Sequence, residues 1–189
     1  MANRIPPVFE RLDLFEWQAC HRLAQLSGYR PLLATLRLAS RLGDWPAWAI
    51  LTLCLPFIHG TLGWWLVLQF AITAGSGVLI YRLLKTRLCR ERPFITFTAI
   101  PCTLPPLDRY SFPSGHTLHA VSFCTLTASV APWLLVIVAP LTLLIAASRV
   151  GLGLHYLSDV AAGALLGLLI AKASLWLWPL TTVIDSAHY

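Results

Sequence analysis

Long apolar segments joined by short polar connections make up most of the chain after residue 44. Their positions predict helices over Trp45–Ile58, Gly63–Leu84, Gly115–Ala131, Leu134–Ser148 and Tyr156–Trp178. Crossing a bilayer core of about 30 Å takes about 20 apolar helical residues, so we interpret these segments as five membrane spans. The expected fold is an all-α, polytopic bundle of transmembrane helices.

The first 44 residues follow a different pattern, in which arginines recur among apolar residues. Leu12–Ser27 and Pro31–Leu42 are predicted to be amphipathic helices suited to the membrane interface. A crossing by Pro31–Leu42 would raise the count to six spans. The chain is therefore expected to comprise an interfacial region (1–44), a transmembrane domain (45–178) and a C-terminal tail (179–189).

The composition also indicates a membrane protein. Hydrophobic residues form 57% of the chain and charged residues 12%, whereas soluble domains average about 45–50% and about 25%. The net charge of +6 comes largely from arginines that flank apolar segments, so membrane lipids are the expected partners and nucleic acid is not. Five cysteines argue against a disulfide framework, although Cys89 and Cys102 share a predicted loop and could form one bridge. The oligomeric state is left open.

Tryptophans and polar residues fall at opposite ends of the predicted spans. The five tryptophans at these span ends are Trp64, Trp65, Trp133, Trp176 and Trp178, and the polar ends carry Lys85, Gly115, Ser148 and His155. Because tryptophan favours the membrane interface, this pattern predicts an aromatic belt on one face of the membrane and a polar cluster on the other.

Three short motifs at the polar end carry the candidate chemistry. The first, KTRLCRERP, opens a loop predicted over Lys85–Ser111. Lys85 and Arg92 can offset the charge of a phosphate, Arg92 through a fork suited to two oxygens. The alternative role for such a basic stretch is to hold lipid headgroups. The residues expected to have that role are Arg82, Arg87 and Arg90.

The second motif, PSGH, covers Pro113–His116 at the start of a predicted helix. Backbone N–H groups without helical partners and the helix dipole predict an anion site at Ser114 and Gly115. An ordinary serine N-cap beside a histidine is the alternative. His119, one turn later, is expected to line the site or belong to the core.

The third motif, SRVGLGLHYLSD, covers Ser148–Asp159. Within residues 112–171 the formally charged side chains are Arg149 and Asp159, and ionisable groups in membrane segments are costly and usually functional. His155 and Asp159 are four residues apart and share one face of a helix. Asp159 can then accept a hydrogen bond from one ring nitrogen and leave the other as an oriented nucleophile or base. A buried ion pair is the alternative.

In their order and spacing, K-x6-R-P, P-S-G-H and S-R-x5-H-x3-D resemble the motifs of the type 2 phosphatidic acid phosphatase family of membrane lipid phosphatases. The resemblance covers roughly residues 45–178 and implies a catalytic domain there. It implies that His155 is the nucleophile that forms a phosphohistidine, that Asp159 orients it, and that His116 is the general acid. The phosphate-binding residues that it implies are Lys85, Arg92, Ser114, Gly115 and Arg149.

A lipid phosphate or diphosphate is the substrate class that this resemblance implies. No cofactor and no metal are expected, because three cations and a helix N-terminus can stabilise the charge on a transferring phosphoryl group. The small size and the N-terminal amphipathic helices are similar to small bacterial undecaprenyl-diphosphate phosphatases. That similarity favours undecaprenyl diphosphate over phosphatidylglycerophosphate, phosphatidate or lipid A. It also implies a bacterial inner membrane location, with the active site on the outer face.

Three other functions fit parts of the pattern. A channel or transporter could use intramembrane His, Arg and Asp side chains, but it would not explain why the polar clusters share one face. A zinc site at His116, His155 and Asp159 would place a cation beside the arginines and lysine of the motifs, which electrostatics disfavours. Vanadium haloperoxidases carry the same motif set but are soluble, unlike a chain of this composition.

Overall fold

The computed structural model describes residues 7–26, 28–102, 104–105 and 108–179. The helices within these ranges are α1 (Pro7–Leu26), α2 (Arg30–Leu42), α3 (Trp45–His59), α4 (Thr61–Leu88), α5 (Pro93–Thr96), α6 (Gly115–Val130), α7 (Leu135–Gly151) and α8 (Leu157–Leu177). The tail predicted at 179–189 lies outside the described residues except for Pro179, and so does Ser27 at the end of the first predicted helix. The all-α fold expected from the sequence is confirmed.

The predicted loop over Lys85–Ser111 is wrong in its first part. Helix α4 continues through Lys85 to Leu88 and ends at Cys89, whose backbone is in the left-handed conformation (φ 48°). The first proline of this stretch is Pro93, and the lysine, arginine and leucine residues before it favour a helix. Lys85 is therefore held on a long helix and not on a loop.

Among the described residues, three helical segments are long and apolar enough to cross a membrane. They are Thr61–Leu88, Pro132–Gly151 and Leu157–Leu177, the second of which joins a 3₁₀ turn to α7. Helix α3 is apolar but has 15 residues, and α6 has 16. At about 1.5 Å per residue, both are shorter than a bilayer core of about 30 Å. The count of five or six spans stays a prediction.

Helices α6 and α8 approach each other more closely than side chains normally allow. A Cβ atom added at Gly163 would lie 2.5 Å from the carbonyl oxygen of Ser114, and one at Gly167 would lie 2.3 Å from that of Leu118. The Ser122 hydroxyl donates a hydrogen bond to the Gly167 carbonyl at 3.0 Å. Two glycines spaced four apart therefore bring the two backbones into contact, as small residues do between membrane helices.

The bundle has an apolar interior and an apolar exterior. Phe70, Phe123 and Trp48 pack together in the core through ring contacts. On the outside, Phe57 is 91% exposed and Val136 is 77% exposed. Large exposed apolar side chains on long apolar helices are suited to contact with lipid.

The two ends of the bundle differ as the sequence predicts. The C-terminal ends of α4 and α7 and the N-terminal ends of α6 and α8 carry the motif residues. At the opposite end, Trp65 and Trp178 contact each other, and Trp64, Trp133 and Trp176 are exposed. The motifs therefore lie at one end of the bundle and these five tryptophans at the other, whereas Trp45 lies at the motif end.

Candidate active site

A cavity of about 310 Å³ opens at the motif end of the bundle. Of the eight predicted site residues, six line it: Lys85, Arg92, Gly115, His116, Arg149 and His155. The other two, Ser114 and Asp159, are fully buried next to it. Residues that are far apart in the sequence thus form one site, because four helix ends meet there.

Lys85 and Arg92 form the cationic side of the cavity, and both are bound to Asp108. The Lys85 ammonium donates to the two carboxylate oxygens of Asp108 at 2.9 and 2.8 Å. Arg92 donates from Nη2 to Asp108 Oδ1 at 2.7 Å and from Nε to the Asp108 carbonyl at 2.8 Å. A carboxylate therefore occupies donors that are suited to phosphate oxygens.

The pKa of Asp108 is lowered in this setting. Burial acts to raise it, but the hydrogen bonds and charges of Lys85 and Arg92 outweigh that effect. Asp108 is thus ionised throughout the neutral pH range and competes with any anion for the two cations. The sequence analysis did not single out this residue, because it lies among prolines in a loop without a motif.

His155 lies in the connection between α7 and α8 with its ring buried beside Arg92. Arg92 Nη1 lies 3.2 Å from His155 Nε2 and also donates to the Leu154 carbonyl at 2.8 Å. Because a guanidinium can only donate, this contact identifies Nε2 as the ring nitrogen with the lone pair. Burial, followed by the charges of Arg92 and Arg149, lowers the pKa of His155 well below its usual value. A neutral imidazole with a lone pair at the cavity is suited to nucleophilic attack.

Asp159 lies behind His155, with its two carboxylate oxygens in different contacts. Oδ2 accepts the Tyr156 backbone N–H at 2.9 Å and lies 3.4 Å from His155 Nδ1. The predicted pairing of His155 and Asp159 is thus present as a close contact, although 3.4 Å is longer than an ordinary hydrogen bond. The carboxylate faces Nδ1, so it favours the tautomer that carries its proton there.

The start of α6 forms part of the cavity wall at Gly115. The Ser114 backbone N–H donates to the Asp159 carbonyl at 3.0 Å, and the Ser114 hydroxyl lies 3.0 Å from that of Thr117. Ser114 therefore connects α6 to α8, and its N–H is not available to an anion as the sequence suggested. The dipole of α6 still points at the cavity from Gly115.

Arg149 and His116 face the cavity, and residues near the end of α2 hold each of them. Arg149 Nη1 donates to the Ser40 hydroxyl, while the buried Arg149 Nε has no hydrogen-bond partner among the described residues. His116 Nε2 lies 2.9 Å from Asp44 Oδ1. Because an ionised carboxylate can only accept, Nε2 is the donor. The N-terminal region thus contributes directly to the site.

The headgroup-binding role expected for Arg90 is wrong. Its side chain is completely buried and donates hydrogen bonds to Asp13, Ser158 and Asp159. By contrast, Arg82 and Arg87 are exposed. Three arginines in or just before one motif therefore have different surroundings, which spacing along one helix end could not distinguish.

The sequence analysis also missed Asp44 and the two carboxylates of α1 that approach Arg90. Asp44 precedes α3 and has the place of an N-cap, but its side chain makes no capping hydrogen bond. Asp13 and Glu16 are buried acids on an amphipathic helix. Their burial depends on how α1 packs against the rest of the bundle, which the sequence pattern of an amphipathic helix does not show.

The possible bridge between Cys89 and Cys102 is not formed. Cys89 is buried and its thiol lies 3.2 Å from the Thr86 carbonyl, whereas Cys102 is exposed and contacts the Leu104 carbonyl. The five cysteines all lie within the described residues and form no disulfide there.

An apolar groove of about 390 Å³ adjoins the cavity between α3, α4 and α6. Gly43, Trp45, Val78 and His119 line both spaces. Farther from the motifs the groove is lined mainly by apolar side chains, including Leu53. The cationic cavity therefore lies next to an apolar groove on the same helices.

Histidine, cysteine and carboxylate side chains are the groups of the described residues that would hold a metal ion. No group of three or more His, Cys, Asp or Glu side chains within these ranges could hold a metal ion. The two cavity histidines are instead accompanied by Lys85, Arg92 and Arg149, which would repel a cation.

Comparison with protein families gives a match over most of the transmembrane part. A family model described as the PAP2 superfamily matches residues 64–182, which is more than half of the chain. This range contains all three motifs.

Two curated relatives are similar in sequence. The chain is 34% identical over 102 residues to decaprenylphosphoryl-5-phosphoribose phosphatase of Mycobacterium tuberculosis, an alignment that covers 51% of this chain and 54% of that enzyme. It thus spans about half the length of that relative. It is also 28% identical over 159 residues to undecaprenyl-diphosphatase of Sulfolobus acidocaldarius, with 82% of this chain and 72% of that enzyme covered.

Two solved structures share the fold. A PAP2-type phosphatidylglycerolphosphate phosphatase from Bacillus subtilis superposes with a TM-score of 0.69 at 24% identity, covering 89% of this chain and 85% of that one. Aquifex aeolicus LpxE superposes with a TM-score of 0.73 at 24% identity, covering 85% and 94%. At this identity the likeness shows a common architecture.

Proposed function

Because the chain belongs to the PAP2 superfamily, we propose that it is a membrane lipid phosphatase that removes the terminal phosphate of undecaprenyl diphosphate. The family match over residues 64–182 supports a phosphatase of this family, and we propose the substrate, the site roles and the orientation in the membrane from the site and the relatives.

The observation that carries the proposal is the surroundings of His155 Nε2. This nitrogen lies beside Arg92 at 3.2 Å, in a cavity that Lys85 and Arg149 also line. A phosphoryl group bound to the three cations has its negative charge offset. A neutral imidazole nitrogen at the same cavity can attack the phosphorus atom.

In the first step, His155 Nε2 forms a bond to the terminal phosphorus while the bond from phosphorus to the bridging oxygen breaks. His116, whose Nε2 is held by Asp44, starts this step with a proton on Nδ1 as well and gives that proton to the bridging oxygen, which leaves as undecaprenyl phosphate. Asp159 faces Nδ1 and stabilises the positive charge that develops on the ring of the nucleophile. The product of this step is a phosphohistidine.

In the second step, water replaces the imidazole on phosphorus. His116, now deprotonated, accepts a proton from the attacking water. The N–P bond breaks, inorganic phosphate is released and His155 returns to its neutral form. Lys85 and Arg92 offset the charge in both steps, and no cofactor takes part.

An isoprenoid substrate is supported by two observations. The cavity shares four lining residues with the apolar groove between α3, α4 and α6, so a phosphate at the cations can have its chain among apolar helices. Both curated relatives are named for substrates with long prenyl chains. We therefore favour undecaprenyl diphosphate over a glycerol lipid phosphate.

The proposed location is the bacterial inner membrane, with the site on the outer face. Three helices that can cross a membrane support the membrane assignment. The outer face is what the family resemblance implies.

The test is phosphate release by the purified protein in detergent with a panel of lipids. The panel contains undecaprenyl diphosphate, decaprenylphosphoryl-5-phosphoribose, phosphatidylglycerophosphate and phosphatidate, and kcat/KM is compared. We expect the highest value for undecaprenyl diphosphate and no release by His155→Ala. A higher value for phosphatidylglycerophosphate or phosphatidate would replace the substrate proposal, and equal release by His155→Ala would refute the mechanism.

A further inference from the structure

Arg90 is a completely buried arginine that none of the proposed steps uses. Its guanidinium lies between two aromatic rings, with Cζ 4.0 Å from the centroid of Tyr156 and 4.9 Å from that of Phe9. Such stacking fixes the plane of the guanidinium. The direction of its N–H groups is therefore set before any substrate binds.

One edge of this guanidinium is directed at α8. Arg90 Nη1 donates to Asp159 Oδ1 at 2.6 Å and to the Ser158 hydroxyl at 2.7 Å. Oδ1 of Asp159 therefore accepts a hydrogen bond from Arg90. Oδ2 accepts one from the Tyr156 N–H and lies near His155 Nδ1. With both oxygens held, the Asp159 carboxylate has little freedom to turn away from the imidazole.

The other edge is directed at α1. Nε and Nη2 of Arg90 donate to Asp13 Oδ1 at 2.9 and 2.7 Å, and Nη2 lies 3.6 Å from Glu16 Oε2. Glu16 also accepts hydrogen bonds from the hydroxyl and backbone N–H of Ser158 at 3.0 and 3.3 Å. Two acids of α1 thus hold both Arg90 and the first turn of α8.

We propose that Arg90, held by Asp13 of α1, is a positioning residue that keeps Asp159 aligned with the nucleophile His155. The proposal rests on the roles given above to His155 and Asp159. It makes α1, which the sequence indicated only as an interfacial helix, part of the support of the active site. The chain of contacts runs from Asp13 through Arg90 and Asp159 to the imidazole.

Loss of Arg90 should affect the chemical step more than substrate binding. Lys85, Arg92 and Arg149, the proposed phosphate donors, are held by hydrogen bonds that do not involve Arg90, so KM should change little. By analogy with residues that orient metal-bound histidines, kcat should fall about 10- to 100-fold. Arg90→Lys should recover part of this loss, because it keeps the charge but cannot bridge Asp13 and Asp159 as a fork does.

The experiment measures kcat and KM for Arg90→Met, Arg90→Lys and Asp13→Asn, each alone and in an Asp159→Asn background. Exposed residues of α1 provide matched controls, Arg22→Met for the arginine and Glu10→Gln for the acid. The controls should keep the wild-type kcat. If Arg90 acts through Asp159, then Arg90→Met should lower kcat much less in the Asp159→Asn background than in the wild type.

An equal loss of kcat in both backgrounds would overturn the proposal, since Arg90 would then act independently of Asp159. Thermal unfolding in detergent is measured for every variant. A lower unfolding midpoint with an unchanged kcat would show a purely structural role for Arg90 and would also overturn the proposal.

His155→Ala separates this inference from the proposed function. If His155→Ala retains activity, the proposed function fails, whereas an inactive His155→Ala with a fully active Arg90→Met contradicts the positioning role alone.

Discussion

At the scale of single residues, the two cavity histidines have different surroundings, so their replacement should affect turnover in different ways. His155 faces Arg92 and Asp159, whereas His116 is bound to Asp44. His155→Ala should abolish both turnover and the phosphoenzyme with every substrate. His116→Ala should slow the reaction by about 10²–10⁴-fold, the usual contribution of a general acid.

The loss in His116→Ala should also depend on the leaving group. A lipid monophosphate leaves more easily than an alkoxide, so undecaprenyl diphosphate should need the proton less than phosphatidate does. Rapid-quench trapping of an acid-labile phosphohistidine with both substrates measures the effect. Full phosphoenzyme formation in His155→Ala would contradict the assignment of the nucleophile.

Asp108 gives a second residue-scale prediction. Its lowered pKa keeps it ionised at neutral pH, and both of its oxygens contact Lys85. A phosphate must displace this carboxylate, whose side chain is 42% exposed. Asp108→Asn should therefore strengthen inhibition by vanadate, by about tenfold or less because partly exposed ion pairs are weak. Weaker inhibition in this variant would mean that Asp108 organises the two cations and does not compete with the anion.

Metal independence is a third prediction at this scale. Lys85, Arg92 and Arg149 already supply the positive charge that a metal would bring to the phosphoryl group. Activity should persist in EDTA and should not rise on addition of zinc or magnesium. Loss of activity in EDTA that either metal restores would refute the mechanism.

Six of the eight residues predicted from the motifs line one cavity. Motif spacing could identify them because the chemistry of a phosphate requires cations and histidines, which are rare in apolar helices. It could not identify Asp44, Asp108 or Arg90 as partners. An acid in a loop or an arginine near a helix end has many ordinary roles, and its partner comes from a distant part of the chain.

At the scale of elements, the contact between α6 and α8 sets the distance between the two catalytic helix starts. Gly163 and Gly167 allow the backbones to touch, and the Ser114 N–H bonds to the Asp159 carbonyl across this contact. The glycine spacing is present in the sequence as G-x3-G, but it was not used to predict this contact.

The predicted end of α4 was also wrong. The polar residues after Leu84 were predicted to form a loop, but they continue the helix to Leu88.

Gly163→Ala should push α6 and α8 apart. The new Cβ would lie 2.5 Å from the Ser114 carbonyl oxygen, and overpacking of this kind typically costs about 1–3 kcal/mol. We expect a lower unfolding midpoint and a lower kcat. Gly75→Ala in α4 is the matched control, since its Cβ would meet nothing within 4 Å. Because alanine favours a helix over glycine, the control should be at least as stable as the wild type. Equal stability of the two variants would contradict the role of the α6–α8 contact.

At the scale of the whole molecule, the bundle has a polar motif end and a tryptophan end, which allows its orientation in the membrane to be tested. Arg109, with a side chain 68% exposed, lies at the motif end, and the exposed Thr61 begins α4 at the other end. In a cysteine-free background, Arg109→Cys should react with an impermeant thiol reagent in intact cells. Thr61→Cys should react only after the membrane is permeabilised. The reverse pattern would place the active site on the cytoplasmic side.

The sequence by itself determined the class of the molecule and the chemical groups of its site. Long apolar segments must be removed from water, which led to the all-α membrane bundle, and three motifs with fixed spacing led to the family that the match over residues 64–182 confirms. These features are local, since each depends on residues that are close together in the chain.

The tertiary structure alone decided which charges are paired. In the structure, Asp108 is hydrogen-bonded to Lys85 and Arg92, Asp44 to His116, and Asp13 to Arg90. These pairs join residues that are far apart in the sequence, and each depends on how the helices pack. Hydropathy and motif spacing do not show how two distant segments pack against each other. The contribution of α1 and α2 to the active site could therefore be seen only when the helices were assembled.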